Sequence, residues 1–171
     1  MARSAGILLS ITSLPSPYGI GTIGKEARAF ADFLKKSGQS IWQILPVGPT
    51  SYGDSPYQSF STYAGNPYLI DLDTLRDEGL VTQEELDSFD WGENDEEVDY
   101  EKIYNSRFEV LKIAYNNFKK NCDQKAFSSF KRKNCKWLKN YALYMAVKKS
   151  FDMISWTECQ MKISRCTRKQ R

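Results

Sequence analysis

The chain has 171 residues, 41% of them hydrophobic and 13% aromatic, and a formal net charge of +3. That length buries one modest core and falls short of the roughly 250 residues that a closed eight-stranded α/β barrel needs. Histidine is absent and the four cysteines (Cys122, Cys135, Cys159, Cys166) form no C-x-x-C pair, so a zinc centre and a secreted disulfide framework are disfavoured, and no stretch reads as a membrane span.

The charge is unevenly placed. From Cys159 onward there are Lys162, Arg165, Arg168, Lys169 and Arg171 and no acid, so the body is mildly acidic and the tail, 159–171, is a separate basic block. A basic tail can meet nucleic acid or an anionic membrane. The plainer reading, adopted here, is a solvated, disordered end with neither partner. The apolar run Gly6–Ile11 meets Thr12-Ser13-Leu14-Pro15 too soon for a signal peptide, and the expected compartment is the reducing cytoplasm.

In chain order, Ala5–Ile11 reads as a buried strand, ended by Leu14-Pro15-Ser16-Pro17. Ala27, Phe30, Ala31 and Leu34 then repeat at helical spacing, with Phe33 beside them, Lys35-Lys36 in the last turn and Gly38 placed for a left-handed C-terminal cap. A second buried run, Ile41-Trp42-Gln43-Ile44-Leu45, stops at Pro46. Strand, helix, strand at this spacing predicts a right-handed βαβ unit with parallel strands. Two such strands make no stable sheet alone, because both faces and both edges need cover.

Beyond the loop 46–67, Tyr68–Leu72 reads as a short extended piece, and Asp73 as the cap of a helix over Thr74–Glu78 that Gly79 ends. Thr82-Gln83-Glu84-Glu85 has the spacing of a capping box. Phe89–Asp99 is an acidic connection. Tyr104, Phe108, Leu111, Tyr115 and Phe118 predict a helix with one apolar stripe; Phe127 and Phe130 mark a shorter helix, and Leu138, Tyr141, Ala142 and Met145 a further one.

In parallel α/β architectures ligands bind at the carboxyl ends of the strands, which nominates the loop Pro46–Pro67. It carries Tyr52-Gly53-Asp54-Ser55-Pro56-Tyr57-Gln58-Ser59-Phe60-Ser61. Aromatic faces cover the C–H faces of sugar rings, and neutral hydroxyls and amides exchange hydrogen bonds with sugar hydroxyls. The loop has no basic cluster and no phosphate-loop spacing. The same residues could equally be building tight turns, with the aromatics as plugs.

Ser4-Ala5-Gly6-Ile7-Leu8-Leu9, Thr12-Ser13-Leu14-Pro15, Pro17-Tyr18-Gly19-Ile20-Gly21, Trp42 through Thr50, the loop segment Tyr52–Ser61 and Ala64-Gly65-Asn66-Pro67 together resemble the opening of the amylomaltases, or 4-α-glucanotransferases. The resemblance is in register over the first half of the chain and continues, more weakly, to Ser155-Trp156-Thr157-Glu158. It implies a cytoplasmic enzyme of starch, glycogen or maltodextrin metabolism, needing no cofactor, that transfers α-1,4-glucan segments by a retaining double displacement. It implies the fold as well: the N-terminal part of an incomplete TIM-type (β/α)8 barrel, with 1–71 the first βαβ unit and cleft loop and 72–158 a helical insertion. Ser55 and Tyr57 match positions lining the substrate cleft, and Tyr52 an aromatic at a secondary glucan contact. Asp54 lies between them, suited either to sugar contact or to holding the loop by accepting from backbone N–H groups. Asp71 and Asp73 read as capping residues.

The family's catalytic carboxylates come from later barrel strands, and no residue here matches them, so no catalytic residue and no metal ligand is nominated and the chain is expected to be inactive alone. After Glu158 the family pattern runs on with Trp-Pro, where this chain has Cys159-Gln160. Loss of one G from a Trp codon would turn TGG-CCA-G into TGC-CAG, and the nucleotides around codon 159 decide between that and a natural basic tail. Two other functions stay open: a non-catalytic glucan-binding or interaction module, and an unrelated α/β domain whose tail binds nucleic acid.

Overall fold

A computed structural model describes residues 3–50, 53–93, 96–121, 123–155 and 157–158. They fall into two compact units that meet between Asp123 and Gln124. The basic tail, Tyr52 and three of the cysteines lie outside the described residues.

The first unit opens with the expected βαβ. Strand β1, Gly6–Leu8, pairs in parallel with β2, Ile41–Gln43, in the register Gly6 to Ile41, Ile7 to Trp42 and Leu8 to Gln43. Helix α1, Lys25–Lys36, connects them. Its end is a Schellman cap: Gly38 takes a φ of +72°, its N–H donates to Lys35 O at 3.2 Å, and Gln39 N–H donates to Leu34 O at 2.9 Å. On the helix, Ala27 and Leu34 are buried and Phe30 packs edge-on against Trp42 at 4.9 Å between centroids, while Ala31 and Phe33 are exposed. The Trp42 indole N–H donates to Leu9 O at 2.9 Å, tying the end of β2 to the end of β1.

Two expectations need correction here. The strands are shorter than the apolar runs that announce them: Ile11–Ser13 is a 3-10 turn, not strand, and β2 ends before Ile44. They are also not buried. Leu8 is 59% and Ile41 50% exposed, because α1 covers part of one face and the rest of the two-stranded sheet has no cover among the described residues.

The first unit's densest packing lies away from the sheet. After a 3-10 turn, Pro67–Leu69, come α2 (Leu72–Asp77), α3 (Gln83–Asp87) and α4 (Tyr100–Asn121). Leu72, Leu80, Val81, Leu86, Val110 and Ala114 form one core cluster with Tyr18, whose ring meets Trp91 edge-on at 5.5 Å. The capping box of α3 is present in both directions: Glu85 N–H donates to Thr82 Oγ1 at 3.2 Å, and Thr82 N–H to Glu85 Oε2 at 2.9 Å. The 3-10 turn replaces the expected extended piece, with the Asn66 side chain accepting Tyr68 N–H at 2.9 Å.

The cap of α2 is Asp71, not Asp73. Its carboxylate accepts from Thr74 N–H at 3.1 Å, from the Thr74 hydroxyl at 2.7 Å and from the Thr22 hydroxyl at 2.8 Å. Gly24 is needed here, since a Cβ on it would lie 2.4 Å from that carboxyl carbon. Asp73, within the first turn, accepts instead from the Tyr18 hydroxyl at 2.9 Å and from Arg76 at 2.7 Å. The buried face of α4 also differs from the expected stripe. Ile103, Ser106, Arg107, Val110 and Ala114 face inward, while Tyr104, Phe108 and Tyr115 are exposed. The larger rings lie along the helix flank, with Tyr104 and Phe108 edge-on and 5.0 Å apart.

The second unit has α5 (Lys125–Lys133) and α6 (Cys135–Ser150), joined at Asn134, whose N–H donates to Phe130 O at 3.0 Å. Leu138, Tyr141 and Met145 are half-buried as the spacing suggested, while Ala142 is exposed. Among the described residues no helix is long and apolar enough to cross a membrane.

Candidate functional site

The carboxyl ends of β1 and β2 open into one cleft of about 180 Å³. Ser10–Ser13, following β1, form one side, and Leu45–Val47, following β2, form the floor of another. Thr50, Asp54 and Pro56 come from the loop, Asn66, Tyr68 and Leu69 from the chain's return, and Tyr100 from the start of α4. Asn66 N–H donates to Val47 O at 2.8 Å, which closes the base of the loop.

Asp54 has a φ of +51°, a left-handed conformation that aspartate tolerates better than most side chains. Its Oδ1 accepts from the Thr50 hydroxyl at 3.0 Å. Burial raises the Tyr68 phenol well above its usual range, and the nearby Asp54 charge adds to this. Tyr100 is raised by the same two causes in the same order. Both phenols therefore stay protonated at neutral pH and can donate hydrogen bonds. The cleft thus presents hydroxyls, an amide, one carboxylate and two tyrosines, which suits a neutral polyhydroxylated ligand.

The structure distributes the nominated residues unequally. Asp54 lines the cleft. Ser55 is half-buried and its carbonyl accepts Gln58 N–H at 3.0 Å, closing a turn with Pro56 and Tyr57 at its centre. Tyr57 projects into solvent, 74% exposed. Tyr52 lies outside the described residues. The rings that do line the cleft, Tyr68 and Tyr100, were not singled out. Tyr68 follows the end of the loop and Tyr100 is more than thirty residues on, and no local pattern links them.

Behind the Tyr68 wall is a residue that no motif announced. Arg107 on α4 is fully buried, and its Nη2 donates to the Ile70 carbonyl. Burial pushes its guanidinium down to about 10, against the opposing pull of Asp71 and Tyr68, so it remains a cation at neutral pH. Asp71 shows the reverse balance: burial pushes its carboxyl up, and the hydrogen bonds from Thr74 and Thr22 outweigh that and hold it below the usual range.

A parallel βαβ with a polar, aromatic cleft at its strand ends defines an α/β protein. The comparisons narrow the class. The family model for glycoside hydrolase family 77, 4-alpha-glucanotransferase, matches residues 9–171. A 4-alpha-glucanotransferase of Clostridium butyricum is 50% identical over 148 residues, which are 86% of this chain and 30% of that protein. One from Thermus thermophilus is 46% identical over 159 residues, 91% of this chain and 31% of that protein. Among solved structures, the amylomaltase of Streptococcus agalactiae in complex with acarbose superposes with a TM-score of 0.83 at 44% identity, covering 90% of this chain and 31% of that one. The chain belongs to the 4-alpha-glucanotransferase family. It spans about 30% of the length of the curated relatives it matches.

Proposed function

We propose that this chain forms one wall of the glucan cleft of a 4-alpha-glucanotransferase, an enzyme that moves α-1,4-linked glucan segments between maltooligosaccharides in the cytoplasm. In this reading β1 and β2 are the first two strands of a TIM-type barrel, residues 72–158 are a helical insertion, and Asp54, Ser55, Tyr57 and Tyr52 contact glucan. The observation that carries it is the cleft at the carboxyl ends of β1 and β2, lined by Asp54 and the protonated phenols of Tyr68 and Tyr100. The relative from Streptococcus agalactiae, superposable on this chain, holds acarbose.

The cleft also sets a limit on chemistry. A retaining glycosidic double displacement needs two carboxyl groups about 5–5.5 Å apart, one attacking the anomeric carbon and one exchanging the proton with the leaving and entering oxygens. Among the described residues lining this cleft, Asp54 is the only acid. Its contribution is to accept hydrogen bonds from sugar hydroxyls and orient a ring beside Tyr68.

The purified chain incubated with maltotriose should therefore yield neither glucose nor longer oligomers, while binding maltotriose weakly. Tyr57→Ala and Asp54→Ala should weaken that binding. Transfer products from the chain alone would overturn the assignment of roles, and wild-type affinity for maltotriose equal to that of both variants would remove the cleft.

A further inference from the structure

A buried cation is expensive, and proteins keep one when something specific is gained. Transfer of an ion out of water costs several kcal/mol unless partners surround it. Arg107 is fully buried, yet its Nε and Nη1 have no hydrogen-bond partner among the described residues. Asp71 and Tyr68 lie close enough to affect its charge, but no ion pair joins it to Asp71. Its one hydrogen bond among the described residues is to the Ile70 carbonyl.

That carbonyl sits at a mechanical joint. Ile70 ends the 3-10 turn that carries Tyr68 and Leu69 into the cleft, and Asp71 next to it caps α2. The turn itself is held by Leu69 N–H on Asn66 O at 3.1 Å and Ile70 N–H on Pro67 O at 3.3 Å, and its outer side by Ile23 N–H on Leu69 O at 3.0 Å. Phe108, adjacent to Arg107 and on the exposed flank of α4, reaches the Tyr68 ring at 6.1 Å between centroids. α4 thus grips the segment Asn66–Asp71 from behind at two successive residues.

We propose that Arg107 is a positioning residue of the glucan cleft: it fixes the Ile70 carbonyl and so sets the depth and angle at which Tyr68 and Leu69 stand in the wall. This rests on the cleft reading above for its ligand, and on the geometry of Arg107 and Ile70 alone for its mechanical part. Stability and function should therefore separate at this residue. A hydrophobic residue of similar volume relieves the unpaired buried charge, so global stability should hold, while the wall loosens.

The test compares the purified chain with Arg107→Met and Arg107→Lys by hydrogen exchange, urea unfolding and maltotriose titration. In Arg107→Met the amides of Tyr68, Leu69 and Ile70 should exchange roughly tenfold faster, while those buried in α3 and the middle of α4 keep their protection and the urea midpoint moves little. Maltotriose affinity should fall with the loosened segment. Arg107→Lys keeps one donor for Ile70 and should restore both exchange and affinity. Should Arg107→Met not fold, Arg107→Gln, with a shorter polar arm, is read the same way. Unchanged exchange at 68–70, or a loss of protection spread evenly through the core, would overturn the positioning role. A wild-type chain that does not bind maltotriose would overturn the cleft reading, with the exchange result still deciding the role of Arg107.

Discussion

Two parts of the first unit invert between sequence and structure: the more apolar one is the more exposed. The strands β1 and β2 read as buried runs, yet Leu8 is 59% exposed and Ile41 50%. The helical segment from α2 to α4 reads as a modest amphipathic region, yet Leu72, Leu86, Ile103 and Val110 are 0% exposed. An apolar strand states only that something must cover it; an apolar helix stripe with capped ends and short connections brings its own cover. The two strands have α1 along part of one face. Leu72, Leu86 and Val110, one from each of α2, α3 and α4, share a core cluster that takes in Tyr18 as well.

The contrast can be broken by substitution. Leu72→Ala removes a fully buried side chain from that enclosed cluster and should cost about 2–5 kcal/mol in urea unfolding of the chain. A cost near that of a surface substitution would mean the helices are not the stable part. Asp71 gives a smaller, pH-dependent effect. Its folded-state pKa is lowered, so its hydrogen bonds from Thr74 and Thr22 stabilise fully above the unfolded value of about 3.9, and that contribution is lost as pH falls through the folded value. Stability of Asp71→Asn should lie below that of the unaltered chain near neutral pH and converge with it in acid; parallel pH curves would count against the cap. At the other extreme, Leu8→Ala should stay within about 0.5 kcal/mol in this chain, because there is little burial to lose. A cost as large as that of Leu72→Ala would show that the sheet is covered after all.

Much of the backbone plan was legible. The glycine cap at Gly38, the second at Gly79 and the Thr82–Glu85 capping box each rest on hydrogen bonds closed within six residues, so local spacing carries them; the parallel βαβ pairs residues 35 apart and was legible from the succession of strand, helix and strand. The position of the cleft at the strand ends was legible too, since it depends on strand direction rather than on any side chain. Choices between near neighbours were not. Asp71 and Asp73 are equally good helix caps in isolation, and Asp71 takes the role where Thr22, 49 residues earlier, meets its carboxylate. On α4 a rotation of one residue moves the buried face from the Tyr104–Phe108 line to Ile103–Arg107, and only the depth of the layer beneath decides it.

The residues of the candidate site divide in the same way. Asp54 could be named from the loop that carries it, because an acid amid glycine, serine and tyrosine at a strand's carboxyl end is a local signal. Tyr68, Tyr100 and Arg107 come together from the end of a loop and the two ends of an interval on α4, a proximity that no periodicity encodes. By itself the order of amino acids determined the family, the βαβ start and the caps: the caps depend on residues close in the chain, and the βαβ on a succession of strand, helix and strand that admits one right-handed parallel pairing. Tertiary structure alone decided which rings line the cleft, which aspartate caps α2 and which cation stands behind the wall. Those outcomes follow from packing between segments that are distant in sequence, where the cost of a void outweighs local preference.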